Sequence, residues 1–243
     1  APGGSGDEEG LTMLSSTRSG LGRRVAPWGV LALSAILTAA CGTEDPGASD
    51  PDDVGEGPLL PWQPGNTWTY RVTTDTEDLG EKVTTVGEEE PVGGTGPHAA
   101  DLANRVVTSK RGGADETVSW QARDGDRVLR YREQSFNATS GALAFEEHWD
   151  PYKLHIDGTA ERRVAGARWV ETYSETKTTP GGEVTATAVS DTWEVRGVGI
   201  SVTVAAGTFE TVALRKTSGA TGTSKDYFYA PGVGKVREVG GQT

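Results

Sequence analysis

The side chains best suited to acid–base or metal chemistry gather in residues 144–155, which read AFEEHWDPYKLH. Glu146, Glu147, His148, Asp150 and His155 are the residue types that a zinc site or a general acid–base pair would use. In an extended chain alternate side chains share a face. His148 and Asp150 then point together, Glu147 points away, and Pro151 is expected to interrupt the segment before His155. This spacing favours solvated charges at a strand end, so neither a metal nor a cofactor is expected. A hydrolase centred on His148 is the enzymatic alternative. The chain has no GxSxG elbow, no HExxH and no Walker loop, and GVGIS at residues 197–201 lacks the strand-to-helix setting of a phosphate loop. The run Glu88, Glu89 and Glu90 is expected to be an exposed loop.

Six tryptophans follow residue 58: Trp62, Trp68, Trp120, Trp149, Trp169 and Trp193. Within a curved sheet Trp68, Trp120, Trp169 and Trp193 are candidates to line a pocket for a hydrophobic ligand, because large flat side chains suit apolar pockets. Alternatively, they fill the core of a domain that has few other large apolar residues.

The one cysteine, Cys41, excludes an intrachain disulfide and any zinc site built from several thiolates. Its setting points to a different chemistry. Met13 is the only methionine, and residues 13–41 read MLSSTRSGLGRRVAPWGVLALSAILTAAC. Arg18, Arg23 and Arg24 form a positive region, followed by 16 uncharged residues at 25–40, slightly short for a membrane span of ~18 or more. Leu37, Thr38, Ala39, Ala40 and Cys41 resemble the lipobox of bacterial lipoproteins. The resemblance implies cleavage before Cys41 and diacylglycerol on its sulfur, hence a protein held to a membrane of the cell envelope by its N-terminal lipid. Gly42, where sorting signals of the inner membrane carry Asp, resembles the outer-membrane class, periplasmic or surface-facing. An uncleaved anchor is the alternative.

The chain then divides into residues 1–12, an upstream extension outside the fold; 13–40, the signal; 41–58, an acidic tether; and 59–243, a single β-rich domain. Residues 42–58 contain six acids, no base and one aliphatic residue, Val54, too little apolar surface to fold. The prolines there also leave Asp50, Asp52 and Asp53 without an ordered calcium frame. The net charge of the chain is -12; residues 59–243 have 20 Lys and Arg against 26 Asp and Glu, so half of the imbalance lies upstream. A negative field repels phosphate, and nucleic acid is not an expected partner.

The elements that must position any site are short β-branched or aromatic runs: WTYRV, TVSW, RVLRY, RWVETY, TWEV, ISVTV, TVAL and DYFYA. Trp68, Tyr70 and Val72 share one face, and Thr67, Thr69, Arg71 and Thr73 share the other. Asp124-Gly125, between TVSWQA and RVLRYRE, is a tight-hairpin dipeptide. Pro180-Gly181-Gly182 and the Pro231, Gly232 and Gly234 cluster separate further pairs. The expected fold is all-β, a curved antiparallel meander sheet or half-barrel with at most one short helix; DLANRVV at residues 101–107 is the helical candidate, and a strand suits it equally.

LLPWQPGNTWTYRV at residues 59–72, VTVAAGTFETVALR at 202–215 and DYFYAPGVGKVREV at 226–239 resemble a group of bacterial secreted lipoproteins with TapB-like domains, similar in general architecture to the half-barrel carriers LolA and LolB. The resemblance implies a non-enzymatic domain that binds a lipid, another lipoprotein or an envelope partner, and it supplies no catalytic residue. A structural or adhesive surface lipoprotein with a filled core is the rival.

Overall fold

The computed structural model describes residues 10–17, 55–110 and 115–240. Cys41, the signal beyond Thr17 and the tether as far as residue 54 lie outside the described residues.

Twelve strands make one closed antiparallel barrel among the described residues. In chain order they are β1 Gly10–Thr17, β2 Thr67–Thr73, β3 Asp78–Pro91, β4 Leu102–Lys110, β5 Asp115–Asp124, β6 Arg127–Phe136, β7 Leu143–Asp157, β8 Arg168–Thr178, β9 Val184–Val204, β10 Gly207–Thr217, β11 Ser224–Ala230 and β12 Gly234–Val239, with a 3-10 turn at Ala160–Arg162. Each strand from β2 to β12 pairs with its sequence neighbour, and β1 closes the ring between β12 and β2. The all-β meander read from the sequence is therefore present, and it curls beyond a half-barrel into complete closure. Closure removes the free edges that an open sheet must otherwise protect.

The turn chemistry explains the meander. The two-residue connection of β5 to β6 is Gly125-Asp126, one residue later than the Asp124-Gly125 pair, and Gly125 has φ +60°, the positive region a hairpin turn requires at its first central position. Gly234, with φ +113°, opens β12 where the chain passes close to Trp68.

Side-chain alternation explains the core. Trp68 and Tyr70 of β2 are buried while Arg71 is exposed. Leu59, Leu60 and Trp62 precede β2 and plug one end of the barrel, packing with Trp68, Val86, Val106, Ile156, Val212, Leu214, Tyr229 and Val236. Asn66 secures the plug by donating to the Pro61 carbonyl at 2.8 Å. The outward side chains of β8 and β9 include Thr172, Ser174, Ser190 and Thr192, all exposed. No described helix is long and apolar enough to cross a membrane.

One open reading is decided and three change. Residues 102–107, helix or strand by sequence, are strand, within β4. Glu88–Glu90 is not a loop but part of β3, where the register with β4 shifts between Val86 and Glu89 and Glu90 accepts a bond from Trp120 Nε1 at 2.9 Å. Pro151 does not end its segment: β7 runs through it to Asp157. Finally, Gly10–Thr17, which by sequence falls partly in the upstream extension and partly in the signal, is a strand. Leu11 and Met13 alternate with Thr12 and Leu14, and both are buried against the barrel interior, Met13 opposite Tyr70.

Candidate functional site: a charged cavity inside the barrel

Three inward-facing columns change character along the barrel axis. On β3 the sequence is Val86, Thr84, Lys82; on β4, Val106, Thr108, Lys110; on β10, Val212, Leu214, Lys216. Because the side-chain period of a strand is two, each column is fixed by parity alone. Its apolar member packs at the plugged end, and its lysine stands toward the other end. Register places Lys82 opposite both Tyr70 and Lys110.

These residues border a cavity of about 270 Å³. At ~30 Å³ per water, that is room for about nine waters, slightly below the ~300 Å³ where drug-sized pockets begin. Leu60, Trp62, Trp68 and Trp193 form its apolar side, and Tyr70, Tyr227 and Tyr229 add aromatic rings with hydroxyls. Lys82, Lys110, Arg130, Lys153, Lys216 and Lys235 bring six positive side chains to the lining, against Glu133 and Glu238. An acidic chain has thus gathered basic residues in its interior.

Most of these charges are compensated, as buried charges must be. Arg130 pairs with Glu133 at 3.1 Å, and Lys153 with Glu175 at 3.4 Å. Lys216 lies 3.1 Å from Glu171 and 2.8 Å from Asp191. Those two carboxylates also accept from Trp193 Nε1 at 2.9 Å and Tyr173 Oη at 3.1 Å. Glu238 accepts from Lys225 at 3.1 Å and Lys235 at 2.5 Å. Burial alone would raise the Glu238 carboxyl, but Lys235, Lys225 and Lys82 together hold it well below the usual range.

Lys82 and Lys110 are the exceptions, since neither makes an ion pair with a described side chain. Burial and the nearby Lys235 bring the Lys82 ammonium down to about 7. Lys82 is half-buried, and the part left open borders the cavity. His155, the cavity's histidine, is neutral, pushed well below its usual range by burial and by Arg130 and Lys235. Its Nδ1 bonds Gln121 Oε1 at 2.6 Å, and Gln121 Nε2 donates to Ser119 Oγ at 2.7 Å.

The cluster read from residues 146–155 is split by this arrangement. His148 and Glu146 are on the outer face of the wall beneath the chain that follows β3; a Cβ on Gly96 would lie 2.4 Å from His148 Nδ1. His148 Nε2 bonds Glu146 Oε1 at 2.8 Å, and Glu146 accepts also from Arg132 and from Gln134 at 2.7 Å. Glu147 faces the interior side and pairs with Lys177 at 3.5 Å. Asp150 is exposed, and His155 reaches the cavity. Among the described residues no group of three or more His, Cys, Asp or Glu is arranged to hold a metal.

The four candidate tryptophans also separate. Trp68 and Trp193 border the cavity. Trp169 is half-buried and stacks on Trp193, with centroids 5.9 Å apart and planes 2° from parallel. Trp120 belongs to a small outer cluster with Val92, Ala103 and Val118, under the Arg132 guanidinium at 4.2 Å. The lysines escaped the sequence reading because each was weighed as a charge. Their parity with Val86, Val106 and Leu214 was the available signal. Compared with protein-family models, with curated proteins and with solved structures, the chain matches none.

Proposed function

We propose that this chain is the precursor of a non-enzymatic envelope lipoprotein, lipidated at Cys41 and sorted to the outer membrane, whose barrel binds a small ligand in its interior. The observation that carries the binding role is the cavity of about 270 Å³ bordered by Trp68, Trp193, three tyrosines and the lysine group. Such a concave site, with a few convergent polar groups against aromatic walls, is the usual form of a ligand pocket. Its size suits a small molecule or a headgroup with a short chain rather than a whole diacyl lipid. That favours binding over the filled-core, purely adhesive reading. The enclosure of His148 under Gly94 and Gly96 tells against a hydrolase at that residue.

Two measurements test the proposal. Membrane fractionation with an acyl label should show Cys41→Ala released from membranes and unlabelled; an unlabelled wild type that stays membrane-bound would refute lipidation. Native mass spectrometry of the protein isolated from bacterial envelopes should show a small adduct lost on partial unfolding. Adduct-free protein that also takes up no added small amphiphile would refute the binding role.

A further inference from the structure

We propose that the cavity recognises a small amphiphilic acid, with its oxyanion held among Lys82, Lys110 and Lys235 and its apolar part against Trp62 and Trp68. The inference rests on the ligand-binding reading above and specifies the ligand's chemistry.

Charge imbalance is the first reason. Six basic side chains face the cavity against two acidic ones, and the counterions that compensate them, Glu133, Glu171, Glu175, Asp191 and Glu238, are engaged elsewhere. Lys82 and Lys110 are in contact with none of them, and Glu238 acts on Lys82 only at a distance. An ammonium largely removed from water without a contact partner is costly, and an anion within contact distance removes that cost.

Available donors are the second. Tyr70, Tyr227 and Tyr229 are all held well above the usual phenol range by burial, so each keeps its proton and presents an O–H rather than a competing charge. Thr84 and Thr108, whose hydroxyl oxygens are 3.1 Å apart, lie one inward position below Lys82 and Lys110. Ammonium and hydroxyl donors converging on one volume suit a carboxylate or a phosphate.

Shape is the third. The charged groups lie away from the plugged end, and the indoles of Trp62 and Trp68, with centroids 6.2 Å apart, lie toward it. A ligand bound head-first to the lysines would set its tail on those rings.

Proton linkage gives the proposal a signature that simple hydrophobic binding lacks. Lys82 is near half-ionised at neutral pH. The groups facing it are Tyr70 from β2, Lys110 from β4, Lys225 from β11, and Lys235 and Glu238 from β12. Glu238 remains ionised and Tyr70 protonated throughout pH 6–8.5. An anion beside Lys82 favours its charged form, so binding takes up a proton above neutrality and weakens as pH rises.

The test is calorimetric titration of the full 243-residue chain with octanoate, octan-1-ol and inorganic phosphate at pH 6.0, 7.0 and 8.5. Octanoate should bind saturably and weaken about tenfold from pH 6.0 to 8.5. Its binding should fall at least about tenfold in Lys82→Met and in Lys110→Met. Lys82→Arg, charged at every pH used, should retain binding and lose the pH dependence. Phosphate binding that depends on the same lysines, without octanoate binding, would keep the oxyanion site and identify the free anion as its ligand. Equal affinity for octanol and octanoate, or octanoate binding untouched by either Met variant, would overturn the oxyanion site while sparing the binding role. No saturable binding of any of the three would overturn both.

Discussion

At the scale of single residues, the interior of this barrel is organised around partners that bring charge and burial into agreement, and Lys82 stands out against that order. Its folded value of about 7 lies below the ordinary 10.5. Between those values the unfolded chain binds more protons than the native one, so this residue makes stability rise with pH across that window. Lys82→Met should flatten that rise and stabilise the chain at pH 6 by about 1 to 4 kcal/mol, measured as a urea midpoint against pH. Glu238 acts in the opposite acid range. Its folded value is depressed, so its contribution is present above about pH 4.5 and is lost as the pH falls further. Trp68 carries a different load, burying its rings in the plug and donating from Nε1 to the Val233 carbonyl at 2.8 Å. Trp68→Ala should cost about 3 to 5 kcal/mol in chemical denaturation. Trp169→Ala should cost clearly less, since Trp169 is only half-buried and its Nε1 has no partner among the described residues.

At the scale of elements, two connections of similar composition impose different demands. A Cβ on Gly125 would meet nothing within 4 Å, and its φ of +60° is one that Asn tolerates. At Gly234 the same atom would lie 2.7 Å from Trp68 Nε1 at φ +113°. Gly125→Asn should therefore stay within about 0.5 kcal/mol of the native chain, whereas Gly234→Ala should lose about 1 to 3 kcal/mol. Urea midpoints of the two variants measure the contrast. The β3, β4 and β10 columns show how one element serves two purposes, with an apolar residue anchoring the floor and a lysine two or four positions along charging the cavity.

At the scale of the whole molecule, closure depends on a strand far in sequence from the sheet it completes. β1 pairs with β2 from Gly10 to Thr17 but with β12 only from Gly10 to Thr12. Cleavage before Cys41, as proposed, would remove β1 and take Leu11 and Met13 from the barrel. A chain beginning at Cys41 should then lose about 3 kcal/mol or more, from the burial of two large apolar side chains. Hydrogen exchange should quicken in Thr67–Thr73 and Gly234–Val239, the two strands left with a free edge. Unchanged protection in both would mean that β2 and β12 pair directly in the processed protein.

Local information was sufficient for much of the fold. Period-two alternation around Trp68 and Tyr70, the Asp124-Gly125 turn and the glycine-rich breaks near Gly182 and Gly232 are properties of neighbouring residues, and they specify an antiparallel meander. The same local character made Glu88–Glu90 read as a loop and Pro151 as a break, because neither reading contained the partner strand that holds the segment extended. The site was less legible. The indole nitrogen of Trp193 meets Glu171, and Lys216 meets Glu171 and Asp191, across 22 to 45 residues of chain. Whether Trp120 faces the cavity or the outer wall depends on which side of the sheet becomes the inside. Curvature and the first-to-last pairing of strands decide that jointly, because ring closure requires compatible tilt and stagger in every strand at once. The residue types that line the cavity were therefore written in the chain, and their convergence on one interior volume arose only with closure of the barrel.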